Sequence, residues 1–256
     1  MKRISIKNEE QMRVMAEGGA KLGQIRKLTA AAVRPGMTTR EIDRIAQKLI
    51  DESGGGASFK RVAGYHHATC LNVNEVVVHG IPGDRKVEKG DKLAIDVGLY
   101  YKGWHTDAAV TIIVGEGEAK LKKFLETGRR ALKAAIAQAK PGKRIFDISE
   151  AMQKVIEKAG YSPVKALTGH GVGRELHEEP AIPCFAVGNR ENSPKIVPGM
   201  VLAIEVMYNE GESEVVYQND DGWTIGTADG KISGLFEETV AIYKDGPKVL
   251  TEAKNE

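Results

Sequence analysis

The chain has 256 residues, of which 41% are hydrophobic and 28% are charged, so it is long enough to bury a sizeable apolar core. Its formal net charge of +2 excludes a strong overall electrostatic attraction to nucleic acid or to a membrane surface. The two cysteines, Cys70 and Cys184, form no CxxC pair, which excludes a zinc ribbon and a disulfide framework and is typical of a reducing compartment.

The N-terminal segment, residues 1–10, is charged and lacks the apolar stretch of a secretory signal peptide. No uninterrupted apolar run along the chain reaches the length that spans a membrane. We therefore expect a cytoplasmic protein that has no membrane partner.

Four helices are predicted, in two pairs that resemble each other. The longer helix of each pair spans residues 9–33 or residues 118–139. The shorter, amphipathic helix of each pair lies between a Pro-Gly dipeptide and a glycine, at 35–54 in the first pair and 141–160 in the second. Thr38 and Glu41 in the first amphipathic segment have the spacing of a capping box, which predicts the start of that helix.

Two predicted strands also match between the halves of the chain. The run 93–97 resembles the run 202–206, and a glycine precedes both at the same distance. Each run contains one acid among apolar residues, Asp96 in the first and Glu205 in the second. A lone acid in a strand is more often an edge residue or half of a salt bridge than a metal ligand.

A second pair of acids lies farther along each half. Asp107 follows a predicted turn at 101–103, which makes it a hairpin neighbour of Asp96. Glu237 stands at the matching place in another β-prone run, 235–243. Each half therefore offers two acids on neighbouring strands.

The order of elements is the same in both halves: two helices, then strands that carry acids. This order predicts an α+β fold with pseudo-twofold symmetry. We expect one domain, residues 1–256, built from two related halves at about 9–114 and 118–243.

Four acids at matched positions are predicted to converge at the centre of such a fold. Converging carboxylates repel one another and are costly to bury unless cations lie between them. No lysine or arginine lies in the strand cores to pair them. Two divalent cations bridged by carboxylates are the simplest solution, because hard oxygen ligands suit such ions.

Histidines are the next candidates, and two of them, His79 and His170, precede a glycine that would let the backbone approach a ligand closely. In an extended strand, the odd spacing of His170 and His177 would place them on opposite faces, so both reach one site only if a turn or bulge intervenes. An isolated histidine is more often structural. His66 and His67 are expected at a pocket rim, with a ligand role as the alternative.

Four motifs carry these residues in a characteristic order: NVNEVVVHGIP at 72–82, AIDVG at 94–98, GWHTDAA at 103–109, and TGHGVG followed by HEEP within 168–180. They resemble the motifs of the type I methionine aminopeptidases, and the resemblance runs from about residue 4 to residue 242. It implies the pita-bread fold, with a central antiparallel sheet and helices packed on one face. It also implies a metal-dependent hydrolase that removes the initiator methionine from nascent polypeptides.

The resemblance implies roles for individual residues. The implied ligands of two divalent metal ions (Co, Mn, Fe, Ni or Zn) are Asp96, Asp107, His170, Glu205 and Glu237. The implied catalytic residues are His79, His177 and Glu205, with Glu205 as proton shuttle and His177 as oxyanion donor. The implied contacts of the substrate's first residue are Tyr65, Cys70, Leu176 and Trp223, with His79 and His177 beside them.

The sequence departs from the family pattern at several places near these residues. Val206 replaces a common proline, Leu235 and Glu238 replace a common glutamine and histidine, and Asn72 replaces a common serine. Leu176 is smaller than the aromatic residue common at its position, which predicts a roomier pocket. None of these departures removes an implied ligand. Glu238 is expected to face the side of its strand opposite to the ligands.

Two alternative functions are weighed against this one. A prolidase or aminopeptidase P usually carries a separate N-terminal domain, and we expect none before residue 8. A non-enzymatic binding module of the same fold usually lacks ligands, whereas all five are present here. We expect a monomer with no specific nucleic-acid partner. The basic run 120–144 is interpreted as a solvated helix face, with a ribosome-facing patch as the alternative.

Overall fold

The computed structural model describes residues 4–253 of the chain. Residues 1–3 and 254–256 lie outside the described residues. The predicted N-terminal segment, 1–10, and the predicted single domain, 1–256, therefore lie only partly within the described residues. Among the helices of the described part, none is long and apolar enough to cross a membrane.

Residues 4–253 form an α+β structure of four α-helices and thirteen β-strands. The helices are α1 (Glu9–Ala32), α2 (Thr39–Glu52), α3 (Ala119–Gln138) and α4 (Ile145–Lys158). The strands of the first half are β1 (Gly56–Ala57), β2 (Thr69–Val73), β3 (Val76–Val78), β4 (Lys92–Tyr101) and β5 (Trp104–Ile113). The remaining strands are β6 (Ser162–Pro163), β7 (Thr168–Gly171), β8 (Glu178–Pro183), β9 (Val201–Asn209), β10 (Val215–Tyr217), β11 (Ile225–Thr227), β12 (Ser233–Tyr243) and β13 (Gly246–Val249).

The four predicted helices are confirmed, and the two amphipathic helices are shorter than the segments that contain them. Each begins after a Pro-Gly turn and ends before a glycine, because glycines at these places have left-handed backbone angles that a helix cannot continue through. At the start of α2, Thr38 and Glu41 each accept a hydrogen bond from the other's backbone N–H, at 3.2 and 2.7 Å. This confirms the predicted capping box.

Ten strands form one antiparallel sheet in the order β1-β4-β5-β12-β9-β7-β8, with β2 beside β4, β6 beside β9 and β13 beside β12. The other three strands form a small sheet in the order β10-β11-β3. At the middle of the large sheet β5 meets β12, where Ala109 lies opposite Glu237. The predicted hairpin of β4 and β5, which carries Asp96 and Asp107, is therefore joined side by side to the β12–β9 pair, which carries Glu237 and Glu205.

The helices pack against the sheet through apolar side chains and leave the acids on the other side of the strands. Leu22 of α1 and Ile50 of α2 share a buried cluster with Val97 of β4. Residues of α3 and α4 share another with Ile204 and Val206 of β9. Because successive strand residues face opposite sides, Asp96 and Glu205 point away from these helices. Val206, a departure from the family pattern, therefore belongs to the core.

Candidate active site

Asp96 and Asp107 lie on the hairpin of β4 and β5, as the sequence predicted. The turn between the strands has left-handed backbone angles at Lys102 and Gly103, with φ of 48° and 86°, which suits a tight hairpin. Asp96 is opposite Ala109, and Asp107 is opposite Gly98. The two acids are therefore diagonal neighbours on one face of the sheet.

Glu205 and Glu237 are directly opposite each other on β9 and β12. Side chains at opposite positions of an antiparallel pair are close enough to interact, and like charges there are destabilising. Because Glu237 is also opposite Ala109 on β5, its carboxylate lies beside the hairpin that carries Asp107. Four acids from four strands thus face the same place.

Burial dominates the electrostatics of the four acids. It raises the pKa of Asp96, Glu205 and Glu237 well above their usual values, and the charges of neighbouring acids add to the effect. Burial also raises the pKa of Asp107, to about 7. Asp96 Oδ1 and Glu237 Oε1 are buried without a hydrogen-bond partner within residues 4–253. Carboxylate oxygens in this condition require a proton or a cation.

His170 faces this cluster with a nitrogen that can bind a cation. Its Nδ1 is 2.8 Å from the carbonyl oxygen of Gly171, so Nδ1 carries the hydrogen that is donated to that acceptor. The other nitrogen, Nε2, then has a free lone pair, and it lies 3.6 Å from Glu205 Oε1. Burial, followed by the effect of His177, lowers the pKa of His170 to about 3, which keeps the ring neutral. Two acceptors that face each other at this distance fit a cation between them.

All five residues predicted as ligands line one cavity of about 110 Å³. Within it, Asp107, His170 and Glu237 offer ligand atoms that lie within 4.8 Å of one another. Asp96 and Glu205 line the same cavity. The donor set of carboxylate oxygens and a neutral imidazole fits divalent cations of the Mn to Zn series.

His177 joins the cavity because the chain turns between β7 and β8. The turn settles the alternatives that the odd spacing left open, and the rings of His170 and His177 are 4.5 Å apart at their centroids. A buried ion pair of 2.7 Å between Lys7 and Glu178 holds the end of this turn. Burial lowers the pKa of His177, which favours the neutral imidazole.

His79 forms a wall of the same cavity from the end of β3. Its backbone is left-handed, with φ of 58°, and burial followed by His177 lowers its pKa. The next residue, Gly80, donates its N–H to Asn72 Oδ1 at 2.8 Å. Asn72, which replaces the serine common in the family, therefore fixes the backbone next to His79.

Gly80→Ala is expected to lower the free energy of unfolding by about 1–3 kcal/mol, because overpacking at a fixed backbone has this magnitude. An added Cβ would lie 2.4 Å from the carbonyl oxygen of Leu71 and 2.9 Å from Asn72 Oδ1. Denaturant unfolding measures the change. The matched control is Gly83→Ala, whose Cβ would meet only the carbonyl oxygen of Ile81, at 3.9 Å. Equal stabilities of the two variants would contradict the close packing at Gly80.

The residues predicted to contact the substrate's first side chain lie beside the acids. Tyr65, Cys70 and Leu176 form one buried apolar cluster, and Trp223 packs against it with its ring centroid 5.1 Å from that of Tyr65. The Tyr65 hydroxyl donates to the carbonyl oxygen of Thr69 at 2.8 Å, which satisfies the polar end of this side chain. The result is an apolar pocket that opens onto the carboxylates.

Phe59 and Val62 line the same pocket and are not among the residues predicted from the sequence. Phe59 begins a short 3-10 turn, Phe59–Arg61, that no motif marks, and Val62 directly follows it. The available signal was Gly98 in an otherwise bulky strand. A Cβ on Gly98 would lie 2.7 Å from the Ser58 side chain and 2.9 Å from the Phe59 ring, so this glycine lets the turn approach the sheet.

The remaining predicted features lie away from the cavity. Glu238 faces Arg26 of α1, with 2.7 Å between Oε1 and the guanidinium, on the side of β12 opposite to Glu237. Leu235 is buried in the core cluster that includes α3 and α4. His67 Nδ1 is 3.8 Å from Asp43 Oδ2, and His66 is exposed. Neither of these two histidines lines the cavity described here.

Comparison of the sequence with known proteins identifies close relatives over the whole chain. The model of the family described as metallopeptidase family M24 matches residues 13–244. A methionine aminopeptidase of Clostridium perfringens is 42% identical over 251 residues, which cover 98% of this chain and 100% of that protein. Methionine aminopeptidase 1 of Bacillus subtilis is 40% identical over 248 residues, covering 97% and 99%.

Comparison with solved structures gives the same result for the fold. The crystal structure of a methionine aminopeptidase from Thermotoga maritima superposes with a TM-score of 0.93 at 37% identity, covering 98% of this chain and 100% of that chain. A prolidase from Pyrococcus furiosus superposes with a TM-score of 0.77 at 23% identity, over 66% of that chain, which shows a shared fold alone. The predicted pita-bread fold is confirmed.

Proposed function

This chain belongs to metallopeptidase family M24, and we propose how its residues carry out the work of a metal-dependent aminopeptidase that removes N-terminal methionine. We propose that its substrate is the initiator methionine of nascent polypeptides. We also propose that the protein is a monomer and acts in the cytoplasm. One observation carries the proposed metal centre. His170 Nε2 presents a lone pair to a Glu205 oxygen 3.6 Å away, within a cluster of buried acids.

The proposed ligands of two divalent cations (Co, Mn, Fe, Ni or Zn) are Asp96, Asp107, His170, Glu205 and Glu237. When bound, such cations acidify a water molecule and polarise the carbonyl of the scissile bond. The proposal rests on the shared cavity, on the buried oxygens of Asp96 and Glu237 that lack hydrogen-bond partners, and on the raised pKa values of the acids.

Three side chains are assigned to the chemical step. Glu205 accepts a proton from the attacking water and returns it to the departing amine, as a carboxyl at hydrogen-bonding distance from the reacting atoms can. His177 donates a hydrogen bond to the oxyanion that develops on the scissile carbonyl. His79 holds the backbone of the substrate beside the departing amide. The assignments of His79 and His177 are supported by their places on the cavity wall and by lowered pKa values, since a neutral imidazole retains one N–H donor.

Selectivity for methionine is assigned to the apolar pocket of Phe59, Tyr65, Cys70, Leu176 and Trp223. An unbranched thioether side chain adapts to irregular apolar surroundings of this kind and makes favourable contacts with aromatic rings. Leu176 leaves more room than an aromatic side chain would. We therefore propose that the pocket discriminates against leucine by no more than about 10- to 200-fold, the effect of a small change of side chain in an apolar site.

The basic run 120–144 remains interpreted as a solvated helix face. Two of its residues, Lys120 and Arg129, have carboxylate partners at the surface, in Glu210 and Glu126. These pairs offset part of the positive charge of the run, so we favour the solvated helix face over a ribosome-facing patch.

The proposed specificity is tested by comparing kcat/KM on Met-Ala-Ser, Leu-Ala-Ser and Met-Leu-Ser peptides. We expect the highest value for Met-Ala-Ser. Leu-Ala-Ser is expected about 10- to 200-fold lower, which corresponds to the cost of a poorly fitting apolar side chain. Faster cleavage of Leu-Ala-Ser would instead indicate a general aminopeptidase. Equal rates on Met-Ala-Ser and Met-Leu-Ser would remove the argument that the enzyme acts on initiator methionine followed by a small residue.

A further inference from the structure

A second, open groove of about 890 Å³ begins where the active-site cavity ends. Leu176 and His177 line both the cavity and the groove. Three cationic residues, Lys60, Arg61 and Arg174, line this region beside a single acid, Glu175, and we therefore call it the basic groove. The cavity and the basic groove are both lined by residues of two segments, the 3-10 turn after Ser58 and the turn between β7 and β8.

The three cations of the basic groove are exposed and lack carboxylate partners. Within residues 4–253, Lys60, Arg61 and Arg174 have no carboxylate oxygen within 4.0 Å, whereas four of the seven other exposed arginines do. Cations that stay unpaired and converge on one groove raise the local potential and attract anionic ligands.

Aromatic rings position two of these cations. The guanidinium carbon of Arg61 lies 3.8 Å from the centroid of the Tyr100 ring, and that of Arg174 lies 4.3 Å from the centroid of the Trp104 ring. Stacking of this kind restricts a long side chain before a ligand arrives, so less entropy is lost on binding. His105 packs against the same Tyr100 ring, with 4.7 Å between the two ring centroids.

The position of the groove relative to the reaction defines its occupant. In the binding mode proposed above, the substrate's first side chain would occupy the apolar pocket, and its scissile bond would lie beside His177. Since Val62, Leu176 and His177 border both the cavity and the groove, a polypeptide bound in this way would continue over the groove beyond its scissile bond. An extended peptide advances about 3.3 Å per residue, so side chains from the third residue onward reach the groove.

We propose that the basic groove binds the substrate polypeptide beyond its second residue and accelerates removal of methionine from chains with Asp or Glu at the third to fifth positions. This inference rests on the proposed function and adds a substrate class to it. The groove acts through unpaired, ring-stacked cations and takes no part in the chemical step.

The test compares kcat/KM on two peptides that differ in charge, Met-Ala-Glu-Glu-Ser and Met-Ala-Lys-Lys-Ser. At low salt we expect kcat/KM for the acidic peptide to be about three- to tenfold higher. A few exposed ion pairs between the peptide and the groove would together stabilise binding by that factor. The preference should shrink at high ionic strength because salt screens exposed charges. Arg61→Glu should abolish or reverse the preference, while cleavage of Met-Ala-Gly should stay within about twofold.

A matched control is Arg130→Glu, which reverses the charge of an exposed arginine of α3 outside the groove and should leave the preference unchanged. Equal rates on the two charged peptides, or a preference that survives Arg61→Glu, would overturn the inference while leaving the proposed function intact. Absence of cleavage of Met-Ala-Gly by the metal-loaded wild-type protein would overturn both.

Discussion

Asp107→Asn is expected to weaken metal binding by more than about 100-fold, because loss of residues that merely support a ligand already costs 10- to 100-fold. Cleavage of methionyl peptides should fall at least as far at metal concentrations that saturate the wild type. Asp107 is one of the three proposed ligands whose donor atoms lie within 4.8 Å of one another, and it lies diagonal to Asp96 on the hairpin. Isothermal titration with Mn²⁺ or Co²⁺ measures the affinity directly.

The substitution keeps the shape of the side chain, so the fold should persist. Unfolding by denaturant checks this, and a folded variant with weak metal binding is the expected combination. Asp245→Asn is the matched control, because Asp245 is exposed and distant from the cavity lining. Unchanged metal affinity in folded Asp107→Asn would contradict the proposed ligand set.

His177→Ala is expected to lower kcat by about 100- to 1000-fold, the usual effect of removing one donor to an oxyanion. Metal content should stay the same, because the proposed ligand on this side of the cavity is His170, and its Nδ1 is held by the Gly171 carbonyl rather than by His177. Steady-state kinetics and elemental analysis of the same preparation measure the two quantities.

His66→Ala serves as the control for this variant, since His66 is exposed and lies outside the cavity lining. It should leave kcat within about twofold of the wild type. If His177→Ala instead loses its metal, the roles of His170 and His177 have been assigned in the wrong order.

The fold and most of the site could be predicted because their signals are local. The capping box of Thr38 and Glu41 marks a helix start within four residues, and acids inside apolar strands are visible without any knowledge of contacts. The matched runs around Asp96 and Glu205 then indicated that the acid-bearing strands of the two halves face one centre. The division into two related halves remains a prediction, as do the roles of individual site residues.

The features that could not be predicted depend on contacts between distant segments. Phe59 enters the pocket because Gly98 leaves space for it, and that space is invisible in the sequence around Phe59. The partner of Glu238 is Arg26 on α1, which shows no sign of pairing in its own helix pattern. For His170 and His177 the spacing left two arrangements open, and only the path of the turn decides between them.

The most direct test of the central claim is release of free methionine from Met-Ala-Ser by metal-free protein, reconstituted anaerobically with Mn, Fe, Co, Ni or Zn in turn. We expect no release without metal, and release with at least one of the five ions that rises with metal until the site is saturated. A folded protein that releases no methionine with any of the five ions would contradict the account and would favour a binding module that has kept the fold without the reaction.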